Sequence, residues 1–215
     1  REWASGHYQV KQLPRSLEVM SWDYGALNCD QEKEFIHQRI LLIDEQIPFI
    51  LAKEITEVIS CSHEMIRLLA TEHIRDSLLE DLPCEKTESE AKLRARSVVS
   101  LRDIQRVFHL FNYFLHGFSL RSETQQKYRR AMLLSVGCVY YLRLDAVARI
   151  QFLKKIDALP SEQFQTFSLK EVLEAEIDTL LKETEIPLGI ALTSGLKENV
   201  FMTLVCTLSR TPLMI

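Results

Sequence analysis

Hydrophobic positions recur with the period of an α-helix through most of the chain after residue 30. The clearest run follows Ser100, where apolar residues alternate at spacings of three and four. Residues at these spacings share one face of a helix. The pattern predicts a helix from Ser100 to about Gly117 whose core-facing residues are Leu101, Ile104, Phe108, Phe111, Leu115 and Phe118.

Capping boxes mark the beginnings of several predicted helices. Ser100 can cap the first turn through its hydroxyl, while Asp103 can accept a hydrogen bond from the Ser100 amide. Ser122 with Gln125, and Ser168 with Glu171, repeat this signature, and Ser194 can cap the last helix. Together with the helical period and the positions of the prolines, these signals predict further helices at about Asp30–Ile43, Pro48–Leu79, Ser122–Leu142, Asp145 to before Pro160, Leu169–Glu183 and Ser194–Ser209.

Three stretches depart from the helical period. Residues 1–29 contain scattered aromatic and apolar positions and are expected to form an irregular linker packed on the helices. Residues 80–97 have mixed charges and no period, which favours a mobile surface loop. Thr211–Ile215 is typical of the opening of a buried strand. The predicted fold is therefore mainly α, a multi-helix bundle with an irregular N-terminal segment and the start of a strand at the C-terminus.

Composition excludes several classes of protein. With 47% hydrophobic and 26% charged residues the chain is typical of a globular protein, and its net charge of −4 argues against broad binding to nucleic acid. The uncharged stretch Ala131–Leu142 is far shorter than the roughly 20 residues of a membrane-spanning helix. It is expected to be a buried helix. The first residues show no secretory signal, so the expected location is cytoplasmic.

The cysteines and histidines give no catalytic or metal-binding pattern. The five cysteines are scattered without a Cys-x-x-Cys pair, which favours reduced structural thiols. Cys61 and His63 are two positions apart and so point to different sides of a helix. No catalytic residue and no metal ligand is predicted.

A polar stripe on the helix that begins at Ser100 is the candidate for anion binding. Arg102 and Arg106 lie near the positive N-terminal end of that helix, where a guanidinium and free amides together favour a phosphate. The alternative interpretation is a solvated helix face. Further along the stripe, Tyr113, His109 and His116 are expected to pack or to lie at its rim.

Three motifs follow one another in the order found in a known family: Trp22-Asp23-Tyr24-Gly25, then Ser100-Leu101-Arg102-Asp103, then the run from Lys197 to Cys206. From Gly6 to Ile215 the chain resembles the mysterin family of giant dynein-like AAA+ RING-type ubiquitin ligases. The resemblance implies a lid of one AAA+ module and the lead-in to the next. It divides the chain into a linker at 1–29, a lid-like bundle at 30–121, further helices at 122–186 and a lead-in helix and strand at 187–215.

The resemblance also implies roles for two residues. Arg102 corresponds to the sensor-2 arginine, which reaches nucleotide phosphates held by the preceding AAA+ core, with Arg106 a candidate second contact. The chain has no Walker A or B motif and no zinc-spaced RING finger. ATP, magnesium and zinc are therefore expected only in other parts of the parent protein, and the expected partners are neighbouring AAA+ modules and the ubiquitin machinery.

Two functions remain open from the sequence. The first is a non-catalytic lid and inter-module linker that couples nucleotide state to ring conformation. The second is a free-standing helical adaptor that binds partners through an apolar groove. A helical enzyme that uses the histidines is the least favoured, because no nucleophile, base and orienting acid stand at linked positions.

Overall fold

A computed structural model describes residues 27–78, 99–116, 124–159, 168–187 and 189–212. In this part of the chain there are seven α-helices, one π-helical turn and no strand, which confirms the predicted mainly α bundle. The elements are α1 Cys29–Ile43, α2 Phe49–Leu78, α3 Leu101–His116, α4 Thr124–Val136, the π-turn Gly137–Tyr141, α5 Ala146–Asp157, α6 Leu169–Lys182 and α7 Ser194–Ser209.

The helix caps follow the sequence signals in part. Asp145 begins α5 as predicted, since its side chain accepts hydrogen bonds from the Val147 and Ala148 amides at 2.9 Å. The α1 helix begins with an unpredicted capping box, in which the Asn28 side chain accepts from the Gln31 amide and the Gln31 side chain accepts from the Asn28 amide.

Two predicted caps are wrong although their helices are present. The hydroxyl of Thr193, one residue before Ser194, accepts from the Leu196 amide at 3.3 Å and begins α7. Ser168 is the N-cap residue of α6, but its side chain makes no capping hydrogen bond. A capping bond needs an extended N-cap backbone and a side-chain rotamer that reaches the free amides, and a sequence pattern specifies neither.

The core lies where α3 and α4 pack side by side against the α1–α2 pair. The π-turn and α6 adjoin α4, and α7 packs against α3 and α6. Side chains that are almost completely buried come from nearly every element and include Ile36, Ile55, Phe111, Met132, Tyr140, Phe152 and Phe201.

The buried face of α3 is wider than the predicted stripe. Ile104, Phe108, Phe111 and Leu115 are buried as expected, and Val107, Leu110 and Phe114 are buried as well because α3 has neighbours on several sides. Leu101 was expected in the core but is 37% exposed. It is the first residue of the helix and lies beyond the edge of the packed face.

The uncharged stretch Ala131–Leu142 lies in the interior, as predicted. Residues 131–141 are all buried. The helix does not continue unchanged to Leu142, because from Gly137 the chain widens into the π-turn, where the Leu142 amide donates to the Gly137 carbonyl at 3.0 Å. None of the described helices has the length and apolar character needed to cross a bilayer.

Several predictions fall outside the described residues. They concern the segment 1–26, the loop 80–97, Phe118, Ser122 and the last three residues of the predicted strand. Thr211 and Pro212 are described and lie outside any helix or strand. The division of the chain at residues 29, 121 and 186 stays a prediction.

Candidate functional site

The N-terminus of α3 carries the arginine that the sequence singled out. Asp103 Oδ2 accepts a hydrogen bond from the Ser100 amide at 3.0 Å, which confirms the returning half of the predicted capping box. Arg102 is exposed and, among the described residues, makes no hydrogen bond or ion pair. None of these residues therefore keeps its guanidinium from an anion at the positive end of the 16-residue helix.

Asp103 is a nearly buried carboxylate with two arginines beside it. Its side chain is only 7% exposed. Arg106 Nη1 donates to Asp103 Oδ1 at 3.2 Å, and Arg143 Nη1, just after the π-turn, lies 3.7 Å from the same oxygen. A buried carboxylate requires such partners, because an unpaired charge away from water is costly.

A cleft of about 440 Å³ opens beside this ion pair. It lies between α3, the π-turn and α7, and we call it the α3–α7 cleft. Arg106 contributes to its lining and Arg102 does not, so the structure places the two predicted residues in different surroundings. The lining residues are Asp103, Arg106, Leu110, Cys138, Val139, Leu142, Arg143, Asn199, Met202, Thr203, Cys206, Thr211 and Pro212.

The thiols in the cleft are not activated. Burial raises the pKa of the Cys138 thiol and, as the largest effect, that of Cys206. A reactive cysteine instead needs a lowered pKa, because the thiolate is the nucleophile. The four described cysteines form no disulfide with one another.

The far side of the π-turn carries a second polar group of residues, the His63 cluster. His63 Nδ1 lies 3.0 Å from the Tyr140 hydroxyl, and His63 Nε2 lies 3.8 Å from Glu32 Oε1. Arg67 donates to the other Glu32 oxygen at 2.7 Å. Burial, followed by the charge of Arg67, lowers the pKa of His63 to about 4, and burial raises the pKa of Tyr140. His63 is therefore neutral near pH 7.

The remaining residues of the polar stripe differ in their contacts and exposure. His109 Nε2 lies 2.6 Å from the Ser209 carbonyl oxygen, which joins α3 to the C-terminus of α7. Tyr113 is partly buried against Phe114, with ring centroids 5.3 Å apart, and His116 is exposed. Among the described residues no group of three or more histidine, cysteine or acidic side chains could hold a metal ion.

Sequence reasoning missed Arg143, and it missed that Asp103 pairs with arginines as well as with the Ser100 amide. A signal for the Asp103–Arg106 pair was present, since residues three apart on a helix are neighbours. Nothing local indicated Arg143, which reaches Asp103 only through the packing of the π-turn on α3.

Comparison with known proteins identifies relatives over nearly the whole chain. It is 30% identical over 220 residues to the E3 ubiquitin-protein ligase rnf213-beta of zebrafish (Danio rerio) and 29% identical over 231 residues to the human E3 ubiquitin-protein ligase RNF213. The mouse RNF213 ligase is 26% identical over 225 residues. Each match covers 96% of this chain but only 4% of the relative.

Two other comparisons find no match. No protein-family model and no solved structure matches the chain. The three vertebrate ligases agree with the resemblance drawn from the sequence motifs. Over 96% of its length the chain is homologous to a short segment of the RNF213 (mysterin) ligases.

Proposed function

We propose that this chain is a helical lid and inter-module linker in a AAA+ ubiquitin ligase, without catalytic residues of its own. Two findings support the proposal: the match of 96% of the chain to a segment of RNF213 ligases, and the all-helical fold of the described residues. In this proposal the parent protein supplies the ATP and magnesium site, the zinc-binding RING and the contacts with the ubiquitin machinery in the cytoplasm.

The nucleotide-sensing part of the proposal rests on the position and exposure of Arg102. It lies in the first turn of α3, is exposed, and has no bonded partner among the described residues. A free guanidinium beside the positive end of a helix suits phosphate oxygens held by a neighbouring AAA+ core. Arg106 is a weaker candidate, because it would have to leave Asp103 to reach the same phosphate.

The mechanism follows from differential binding. If ATP in the adjacent core binds one orientation of the lid more tightly, the nucleotide shifts the lid toward that orientation. Arg102 supplies part of the difference in affinity. The helices of the bundle, packed through a continuous core, then pass the rotation to the next module.

The test is the Arg102→Ala substitution in the intact protein, with ATP affinity and turnover as the measurements. A charged hydrogen bond contributes about 1.5–3 kcal/mol, so ATP binding should weaken by about tenfold or more. Arg39→Ala is the matched control, since Arg39 is also exposed and has no bonded partner among the described residues. Unchanged affinity and turnover in Arg102→Ala would refute the role of this residue.

The adaptor function has one observation in its favour. Leu42 at the end of α1 and Phe49 and Ile50 at the start of α2 are 74%, 67% and 72% exposed. Exposed apolar side chains can meet a partner protein. A monomeric chain of these 215 residues that melts cooperatively would support an adaptor, whereas aggregation would favour a segment that needs its neighbouring modules.

A further inference from the structure

We propose that the α3–α7 cleft binds a small organic anion, in which one singly charged group, a carboxylate or a phosphodiester, is attached to an apolar body. The site is separate from Arg102, which does not line the cleft. The inference therefore does not depend on the proposed lid function.

The charge of the cleft favours a single anionic group. Its lining contains two guanidinium groups, Arg106 and Arg143, and one carboxylate, Asp103. The thiols of Cys138 and Cys206 have raised pKa values and stay neutral near pH 7. One positive charge is left over, which a monoanion neutralises. A nucleoside triphosphate carries several negative charges and would be poorly matched.

Hydrogen-bond donors are available on both arginines. Each guanidinium has five N–H groups in a planar fork. Arg106 donates one of them to Asp103 at 3.2 Å, and Arg143 approaches the same oxygen only to 3.7 Å. No other partner of either group is found among the described residues. The unused N–H groups can therefore hold a carboxylate or phosphate, and such charge-assisted bonds are among the stronger ones in proteins.

The walls of the cleft fit an apolar body. Apolar side chains of α3, the π-turn, α7 and the residues that follow the last two contribute to the lining: Leu110, Val139, Leu142, Met202 and Pro212. Asn199 and Thr203 on α7 add an amide and a hydroxyl to orient a ligand. The volume of about 440 Å³ lies within the roughly 300–1,000 Å³ of small-molecule sites, which combine apolar walls with a few polar groups in the same way.

Photoaffinity labelling of the intact protein tests the proposal. The probe is a diazirinyl benzoate, whose aromatic ring models the apolar body and whose carboxylate models the anionic group. Mass spectrometry of the digested protein should find saturable labelling of the peptides that contain residues 138–143 and 199–206. Benzoate and methyl phenyl phosphate, a singly charged phosphodiester, should both compete, and the stronger competitor identifies the preferred anionic group. Benzyl alcohol, of similar shape but uncharged, should not compete.

Variants connect the labelling to the arginines. Arg143→Gln should reduce labelling of the cleft by about tenfold or more, and Arg143→Lys should retain part of it because the charge remains. Arg39→Gln is the control and should label like the wild type. The proposal is wrong if labelling is equal in Arg143→Gln and wild type, if benzyl alcohol competes as well as benzoate, or if ATP is the better competitor. Labelling confined to peptides outside the cleft would also overturn it.

Discussion

Acidification should destabilise the fold through one buried histidine. His63 has no exposed surface, and its pKa falls from an ordinary 6.5 to about 4, chiefly because burial disfavours the charged form. Glu32, 3.8 Å away, is already paired with Arg67 and does not provide a spare charge for an imidazolium. In the unfolded chain His63 takes up a proton near pH 6.5, whereas in the folded chain it resists protonation down to about pH 4.

The sign and size of the effect follow from proton linkage. Above pH 6.5 both states are neutral and the stability is fully present. As the pH falls from 6.5 to about 4, the unfolded state binds more protons, so the free energy of unfolding decreases. Each unit of pKa difference corresponds to about 1.4 kcal/mol, so the whole loss is about 3 kcal/mol. Much of the stability of an ordinary domain would then be lost by about pH 4.

Urea unfolding of the 215-residue chain, followed by circular dichroism between about pH 7.5 and pH 4.5, measures this loss. Carboxylates also titrate in that range, so the informative quantity is the difference between wild type and His63→Gln. The variant should be less stable at neutral pH but lose less stability on acidification. His116→Gln, at an exposed position, should follow the wild-type profile. Equal pH dependence in wild type and His63→Gln would refute the reasoning.

Two further predictions concern helix ends and the α5–α7 contact. In thermal unfolding, Thr193→Ala should lower the free energy of unfolding by about 1 kcal/mol and Ser168→Ala by less than about half of that. The reason is that only Thr193 makes a capping bond, and equal losses in the two variants would contradict it. Arg149 holds both Glu198 oxygens at 2.8 Å and donates to the Leu142 and Leu144 carbonyls. Arg149→Ala should therefore lower the free energy of unfolding in urea by about 2–4 kcal/mol, and Arg149→Lys should restore only part of this stability. If Arg149→Lys were as stable as the wild type, the positive charge alone would explain the contribution of Arg149.

The helices could be predicted from the sequence because their signals are local. The apolar period of α3 and the Asp145 cap of α5 depend on residues within a few positions of one another, and both are confirmed. The choice between Thr193 and Ser194 as a cap depends on backbone angles that the pattern does not contain. The exposure of Leu101 depends on where neighbouring helices end.

The candidate site could be predicted only in part, because its residues come from distant parts of the chain. Arg102 and Arg106 were found from their position in one helix. His63 and Tyr140, in contrast, are 77 positions apart, and His109 and Ser209 are 100 positions apart. The π-turn itself arises within a run of buried residues, where a continuous helix was the simpler expectation. Tertiary packing therefore created the α3–α7 cleft and the His63 cluster.

The π-turn contributes residues to both the α3–α7 cleft and the His63 cluster. Cys138, Val139 and Leu142 line the cleft, while Tyr140, between them, contacts His63 on α2. Arg143 follows directly and approaches Asp103, which adjoins Arg102 in the first turn of α3. An anion that drew Arg143 away from Asp103 would act on the same helical turn that carries the proposed nucleotide contact. Double substitution of Arg102 and Arg143 in the intact protein would measure this coupling, because independent residues give additive changes in ATP affinity and coupled residues do not.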